Sequence, residues 1–379
     1  MIVYFDNSAT TKPFREVIDV MIDIMENNYA NSSSIHRLGL KAYEELQKSR
    51  RILGKVINCS EDEIIFTSGG SESNNFILNS MAKPGANIIT TEIEHASIIE
   101  SCRFLEEAGV KLTYLPVDSL GNINLEELEK SINKETVLVS IMHVNNEIGS
   151  LQNLKEISSI IKSRSSRAKF HVDAVQSFGK LSIDVKDLNI DFLSASAHKI
   201  HGPKGIGLCY IKKNIHPKPL IHGGAQETGL RAGTVNVPAT SGFAVAAGIM
   251  HKNIDSNYNK VWGIKEYFIE KLKEVPEAKV NSPLKESFSP YILNVQFKDV
   301  RGEILLRMLE DKEIYASAGA ACSSKSSKDS HVLKAIGLNH EEVLSSLRFS
   351  FNPYNTTEEV DIVIEELKKS LIFLRRMKK

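Results

Sequence analysis

Cysteine is scarce in this sequence: Cys59, Cys102, Cys209 and Cys322 are the only four in 379 residues. No two of them form a Cys-x-x-Cys pair, so neither a zinc framework nor a disulfide scaffold organises the chain. Net charge is missing too. Lys plus Arg and Asp plus Glu number 47 each, which leaves no basic footprint for nucleic acid and no charge-driven pull toward a membrane surface. No apolar run nears the ~20 residues of a spanning helix. The first residues, Met1-Ile2-Val3-Tyr4-Phe5-Asp6, lack the basic start and cleavage site of a signal peptide, so a cytoplasmic protein is expected. There is no internal repeat, and low complexity is confined to the polar run 323–330.

What remains is an ordinary globular composition, 42% hydrophobic and 25% charged. A chain of this length buries about three quarters of its unfolded surface. Short β-rich runs at 63–67, 87–90, 111–115, 136–142, 169–172, 191–194 and 207–211 alternate with helical patterns at 41–57, 95–108, 125–132 and 154–162. The run Val137-Leu138-Val139-Ser140-Ile141 is almost wholly apolar, as a strand covered on both faces must be. The alternation predicts an α/β fold with a large, doubly wound, mainly parallel sheet. Past about residue 248 the pattern changes to a long helix near 258–272, strands near 292–297 and 348–351, and a closing helix capped by Thr356 or Thr357. This reads as a smaller C-terminal α/β domain. The expected division is 15–254 for the large domain and 1–14 with 255–379 for the small one.

Several ends of these strands carry chemistry. Phe192-Leu193 runs into Ser194-Ala195-Ser196-Ala197-His198-Lys199 and a glycine-rich turn, leaving room around an amine that burial would make nucleophilic. Asp173 ends another buried strand, where open α/β sheets bind ligands. A carboxylate there can keep a pyridine nitrogen protonated. Thr67-Ser68-Gly69-Gly70-Ser71-Glu72 joins a strand to a helix, a place that attracts anions. His95 follows a further strand, and Asn146 lies just past the 136–142 strand. Arg231 and Arg348 are candidate carboxylate clamps. Cys322 sits among small polar residues with Lys325 and Lys328 nearby, which favours thiolate in an exposed, mobile loop. Cys209 reads as a buried strand residue, Cys102 as a helix residue and Cys59 as a loop position. Singly, each has a plain structural reading: a solvated lysine, a helix-capping aspartate, a core histidine, surface ion pairs.

Together, and in order, these motifs resemble the pyridoxal-phosphate (PLP) dependent cysteine desulfurases of the class V aminotransferase-like family, with the housekeeping and nitrogen-fixation enzymes. The resemblance rests on Phe5–Thr11, Asn31–His36, Thr67–Asn75, His143–Gly149, His171–Gln176, Ser196–Gly205, Arg231–Thr234, the Cys322 loop and Ser346–Ser350. It implies the PLP-dependent transferase fold type I. It implies that Lys199 tethers PLP and moves the Cα proton, that Asp173 pairs with the pyridine nitrogen, and that Gln176 bonds the ring hydroxyl. His95 would stack on the ring and serve acid–base steps. Gly70, Ser71, Ser196 and His198 would hold the phosphate. Thr234 would reach the PLP of a neighbouring subunit, which implies a homodimer. Asn146 would lie by the cofactor and, with Arg348, bind the substrate carboxylate. Cys322 would take sulfur from L-cysteine as a persulfide, leaving L-alanine, and pass it to an acceptor such as an iron–sulfur scaffold or a tRNA-thiolation enzyme. No resident metal is implied, although Cys322 could transiently ligate a cluster in a scaffold complex. An aminotransferase or selenocysteine lyase of the same fold is the alternative. Gly70-Ser71 departs from the commoner Ala-Thr, and Ser32 stands where proline is usual.

Overall fold

A computed structural model of the protein describes residues 1–318 and 329–377. Its centre is a seven-stranded sheet in the order Ile64–Thr67, Gly207–Ile211, Phe192–Ser196, Lys169–Asp173, Thr136–Met142, Asn87–Thr91, Lys111–Leu115. All neighbours are parallel except Gly207–Ile211, which runs antiparallel to both of its partners. Every residue of Thr136–Met142 is buried, as the continuous apolar run requires.

Three strands of this sheet run past their expected ends, to Thr91, Asp173 and Ser196. Asp173 pairs with Met142 on one side and Ser194 on the other, and Ser196 pairs with Gly207. Asp173 and Ser196 are therefore held by ladder hydrogen bonds, and the chemistry sits on rigid backbone. The expected helix at 41–57 begins earlier, at Arg37. Its N-terminus is capped by His36, whose Nδ1 accepts the Gly39 N–H at 3.2 Å; a histidine cap carries little of the usual Ser/Thr/Asp/Asn signal.

A second sheet is antiparallel, in the order Ser317–Ala318, Ser346–Ser350, Ile292–Phe297, Ala278–Val280. The N-terminal strand Val3–Tyr4 joins this side by pairing with Ile314–Tyr315. The apolar side chains gather into several cores, and the two largest mark the two sheets. One lies under the large sheet, with Leu53, Phe66, Val139, Val172, Leu208 and Phe243. The other joins Val3 and Phe5 to Phe268, Leu293, Phe349 and Leu367. The closing helix, Thr357–Met377, starts with a capping box: Thr356 Oγ1 accepts the Glu359 N–H at 3.3 Å, and the Glu359 carboxylate accepts the Thr356 N–H at 3.0 Å.

Candidate active site

A cavity of about 430 Å³ opens at the carboxyl ends of the parallel strands, within the range of small-molecule sites. Ten sequence-predicted residues line it: Gly70, Ser71, His95, Asn146, Asp173, Gln176, Ser196, His198, Lys199 and Arg348. They come from five different strand ends and from the second sheet. The two cores thus meet at this point.

Lys199 lies in the short turn Ala197–Lys199 that directly follows its strand. Its Nζ donates to the Ser8 carbonyl at 2.5 Å and to the Ala9 carbonyl at 2.8 Å. The N-terminal segment is thereby tied to the large sheet at the Lys199 amine. Gln176 joins the same point, its Nε2 donating to Ser8 O at 3.0 Å. Behind Gln176, the Lys180 ammonium is fully enclosed. Burial, aided by the charge on Lys199, pulls its pKa down to about 7. Burial first, and then Lys199, Lys204 and Lys180, lower His198 to about 4, so its ring is neutral at ordinary pH. This is a cation-rich wall, and an anion placed against it would relieve the repulsion.

Asp173 is 5% exposed. One oxygen accepts the Val175 N–H at 3.0 Å, and the other accepts Asn74 Nδ2 at 2.7 Å. No helix follows Asp173, so the bond to Val175 closes a turn rather than capping a helix, and the carboxylate keeps acceptor capacity for a ligand. His95, by contrast, caps the helix Ala96–Glu107 and lines the cavity at once. The turn before it is fixed by Glu94, whose Oε1 accepts the Thr91 hydroxyl at 2.8 Å and the Met142 N–H at 3.0 Å. Complete burial pushes the Glu94 carboxyl up to about 8, which keeps it protonated and neutral under the site.

The two candidate clamps separate. The fork of Arg231 is taken by Glu72, at 2.9 and 3.2 Å. Arg348 instead lines the cavity, its two Nη groups donating to Asn146 O at 2.9 Å and Asp6 Oδ1 at 3.0 Å.

A model of the class-V aminotransferases, "Aminotransferase class-V", matches residues 3–363. The chain belongs to this family. Class-V relatives span it nearly end to end. A protein of Methanosarcina thermophila named "Cysteine desulfurase IscS" is 42% identical over 379 residues, covering 99% of this chain and 93% of that one. A "Cysteine desulfurase, mitochondrial" of Candida albicans is 41% identical, covering 99% and 78%. Among solved structures, one described as "NIFS-LIKE PROTEIN" superposes with a TM-score of 0.93 at 39% identity, covering 98% of this chain and all of that one. Within the class-V family the chain falls among the cysteine desulfurases, and the family's cofactor is PLP.

The residues present fit that cofactor. The cavity brings an amine, an aspartate and a stackable imidazole together. It also presents the N-terminus of the helix Gly70–Met81 beside Ser71, Ser196 and His198, a donor set suited to a phosphate. The departure at Gly70 has a local cause. A Cβ there would stand 2.5 Å from Val175 Cγ2, so the bulk of Val175 requires glycine at this position. Gly207 is equally constrained, since its Cβ would meet Ala195 O and Gly69 Cα at 2.6 Å.

Two predicted residues stand apart. Thr234 is exposed and does not line the cavity. Cys322 lies outside the described residues. Cys102 and Cys209 are buried and Cys59 is half-buried; burial raises all three thiol pKa values, to about 12 for Cys59 and Cys102. None of these three is poised as a thiolate. Asp6, Asn74 and Ser97 also line the cavity. Asp6 and Asn74 fall inside motifs quoted for the resemblance, but Ser97 had no signal.

Proposed function

We propose that this protein removes sulfur from L-cysteine, releases L-alanine, and carries the sulfur as a persulfide on Cys322 to an acceptor protein. The observation that carries the reading is the convergence of Lys199, Asp173, His95 and Arg348 on one cavity in a chain of the desulfurase group. One solved relative, 35% identical with a TM-score of 0.83, is described as "SspA in complex with cysteine", which supports cysteine as the substrate here.

PLP supplies an electron sink that weakens the bonds at the substrate's Cα and Cβ. The protein's residues do the rest. Lys199 Nζ would tether the cofactor and then move the Cα proton. The Asp173 carboxylate would keep the ring nitrogen protonated, and Gln176 would offer its second amide N–H to the ring hydroxyl. Gly70, Ser71, Ser196 and His198 would hold the phosphate. His95 would stack on the ring and serve proton transfer. Arg348 and Asn146 take the substrate carboxylate, with Asp6 holding the guanidinium in place. The Cys322 thiolate attacks the substrate sulfur: the S–S bond forms, the Cβ–S bond breaks, and its electron pair stays on carbon, which takes a proton to become a methyl group. The raised thiol pKa values of Cys59, Cys102 and Cys209 favour Cys322 by contrast.

A second copy of the chain is proposed to complete the assembly. Ile22, Met25, Tyr29, Ile35, Leu40 and Tyr43 leave apolar surface open across the first two helices and their connection, with Tyr29 71% and Ile35 96% exposed. A patch of this kind marks an interaction surface. Thr234, exposed and away from the cavity of its own chain, is proposed to serve the partner's. The division into 15–254 and 1–14 with 255–379 is supported by the two separate apolar cores. Among the described residues no helix is long and apolar enough to cross a membrane. A cytoplasmic setting suits chemistry that depends on a free thiolate. An iron–sulfur scaffold or a tRNA-thiolation enzyme is the proposed class of acceptor.

Cys322→Ser provides the test. The purified variant is expected to keep the visible absorbance of bound cofactor and to lose sulfide release from L-cysteine with a thiol reductant, falling to a few per cent of wild type or less. Undiminished sulfide release would remove Cys322 from the reaction. Consumption of L-cysteine only when a keto acid is supplied, with that keto acid aminated and no sulfide released, would favour the aminotransferase alternative.

A further inference from the structure

Two polar side chains, Asn74 and Ser97, link the candidate ring carboxylate to the candidate stacking histidine. Asp173 Oδ2 accepts Asn74 Nδ2 at 2.7 Å; Asn74 Nδ2 also donates to Ser97 Oγ at 2.9 Å; Ser97 Oγ lies 2.9 Å from His95 Nδ1. The backbone N–H of Ser97 points at the same Nδ1, at 3.1 Å.

The direction of every hydrogen in this chain follows from chemistry. A carboxylate only accepts, so Asn74 must present its NH2 to Asp173. That orientation leaves Asn74 Oδ1 buried with no partner, a cost accepted because the flipped amide would set oxygen against the carboxylate. The same NH2 group supplies Ser97 Oγ, so the Ser97 proton is left for His95. A backbone N–H can only donate. Two donors therefore converge on His95 Nδ1, which must hold a lone pair, and the neutral ring carries its proton on Nε2. No hydrogen bond from a described residue occupies Nε2, and His95 lines the cavity.

We propose that Ser97 and Asn74 are positioning residues that lock His95 as the Nε2–H tautomer, so that the resting ring meets the cavity as a hydrogen-bond donor rather than as a base. Uptake of a proton at Nδ1 would turn two donors away and strip the cap from the helix Ala96–Glu107. The titratable groups facing the ring are Asp173, Lys199 and His331. Burial, with Lys199 and His331, lowers the His95 pKa against the pull of Asp173, which agrees with a ring held neutral. The tautomer stands on the geometry alone; its use in turnover rests on the desulfurase reading.

The test is a long-range proton–nitrogen correlation spectrum of the holoenzyme labelled with 15N-histidine, with the His95 signals assigned by their loss in His95→Gln. Near neutral pH a pyridine-type Nδ1 and a pyrrole-type Nε2 are expected. Ser97→Ala should raise the His95 pKa by roughly half a unit, the effect of one lost opposing donor, and Ser97→Thr should restore it. A protonated Nδ1 in the wild-type resting protein overturns the proposal, whatever the fate of the variants. An unmoved pKa in folded Ser97→Ala removes Ser97 from it. Visible absorbance of the same samples reports cofactor binding separately, so a failed cofactor reading is distinguishable from a failed tautomer.

Discussion

Lys199→Ala is expected to abolish turnover of L-cysteine, with kcat falling by about 10⁴-fold or more. Two functions go together in that change. The amine is the only proposed covalent anchor, and it is also the proposed carrier of the Cα proton, a role worth about 10²–10⁴-fold by itself. The remaining donor set is expected to keep some affinity for PLP, since Asp173, Ser71, Ser196 and His198 are untouched. The variant should therefore bind the cofactor reversibly, lose the absorbance band of the tethered form, and release its cofactor on dialysis. Lys199 Nζ also ties the carbonyls of Ser8 and Ala9 to the large sheet, so far-ultraviolet circular dichroism must accompany the assay. A folded Lys199→Ala protein with activity within tenfold of wild type would sink the assignment of this lysine.

The legibility of that site in the sequence follows from its construction. Lys199, Asp173 and His95 each sit within a few residues of a buried strand's carboxyl end, and such strands are apolar runs with abrupt polar ends. The Gly69-Gly70 turn is legible for the same reason, and so is most of the large sheet. What the sequence hides is pairing at long range. Arg231 and Arg348 look alike as candidate clamps, and only the fold gives one to Glu72 and brings the other to Asp6, 342 residues away along the chain. Ser97 was invisible because a serine early in a helix ordinarily reports a cap or nothing; its meaning comes from Asn74, 23 residues earlier. The earlier start of the second helix was hidden by a histidine cap. Cys322 was read from its small, polar neighbours and from the resemblance, and its place in space lies outside the described residues.

Arg50→Ala is expected to cost about 3–5 kcal/mol of stability, the price of leaving a buried charge without its partner. Arg50 comes from the second helix and its side chain is 10% exposed; that of Glu227 is 1% exposed. The guanidinium contacts the Glu227 carboxylate and the Ile64 carbonyl, and it lies over the Phe66 ring, 4.8 Å from the centroid. Glu227 in turn accepts the Phe66 N–H at 2.7 Å. It does so from a left-handed backbone, φ 48° and ψ 45°, a conformation that costs energy in a residue with a Cβ. These contacts secure Ile64–Thr67, an outer strand of the sheet that, among the described residues, pairs only with Gly207–Ile211. The turn through Gly69, Gly70 and Ser71 leaves directly from its end. Loss of the pair should therefore loosen the proposed phosphate cradle as well as lower the unfolding temperature. Glu227→Gln with Arg50→Met removes both charges and should recover part of the loss, because it strands neither. Thermal unfolding followed by circular dichroism, with cofactor absorbance recorded in parallel, measures both effects. An Arg50→Ala protein that melts with the wild type and keeps its cofactor would show that the ion pair is not what holds this strand in place.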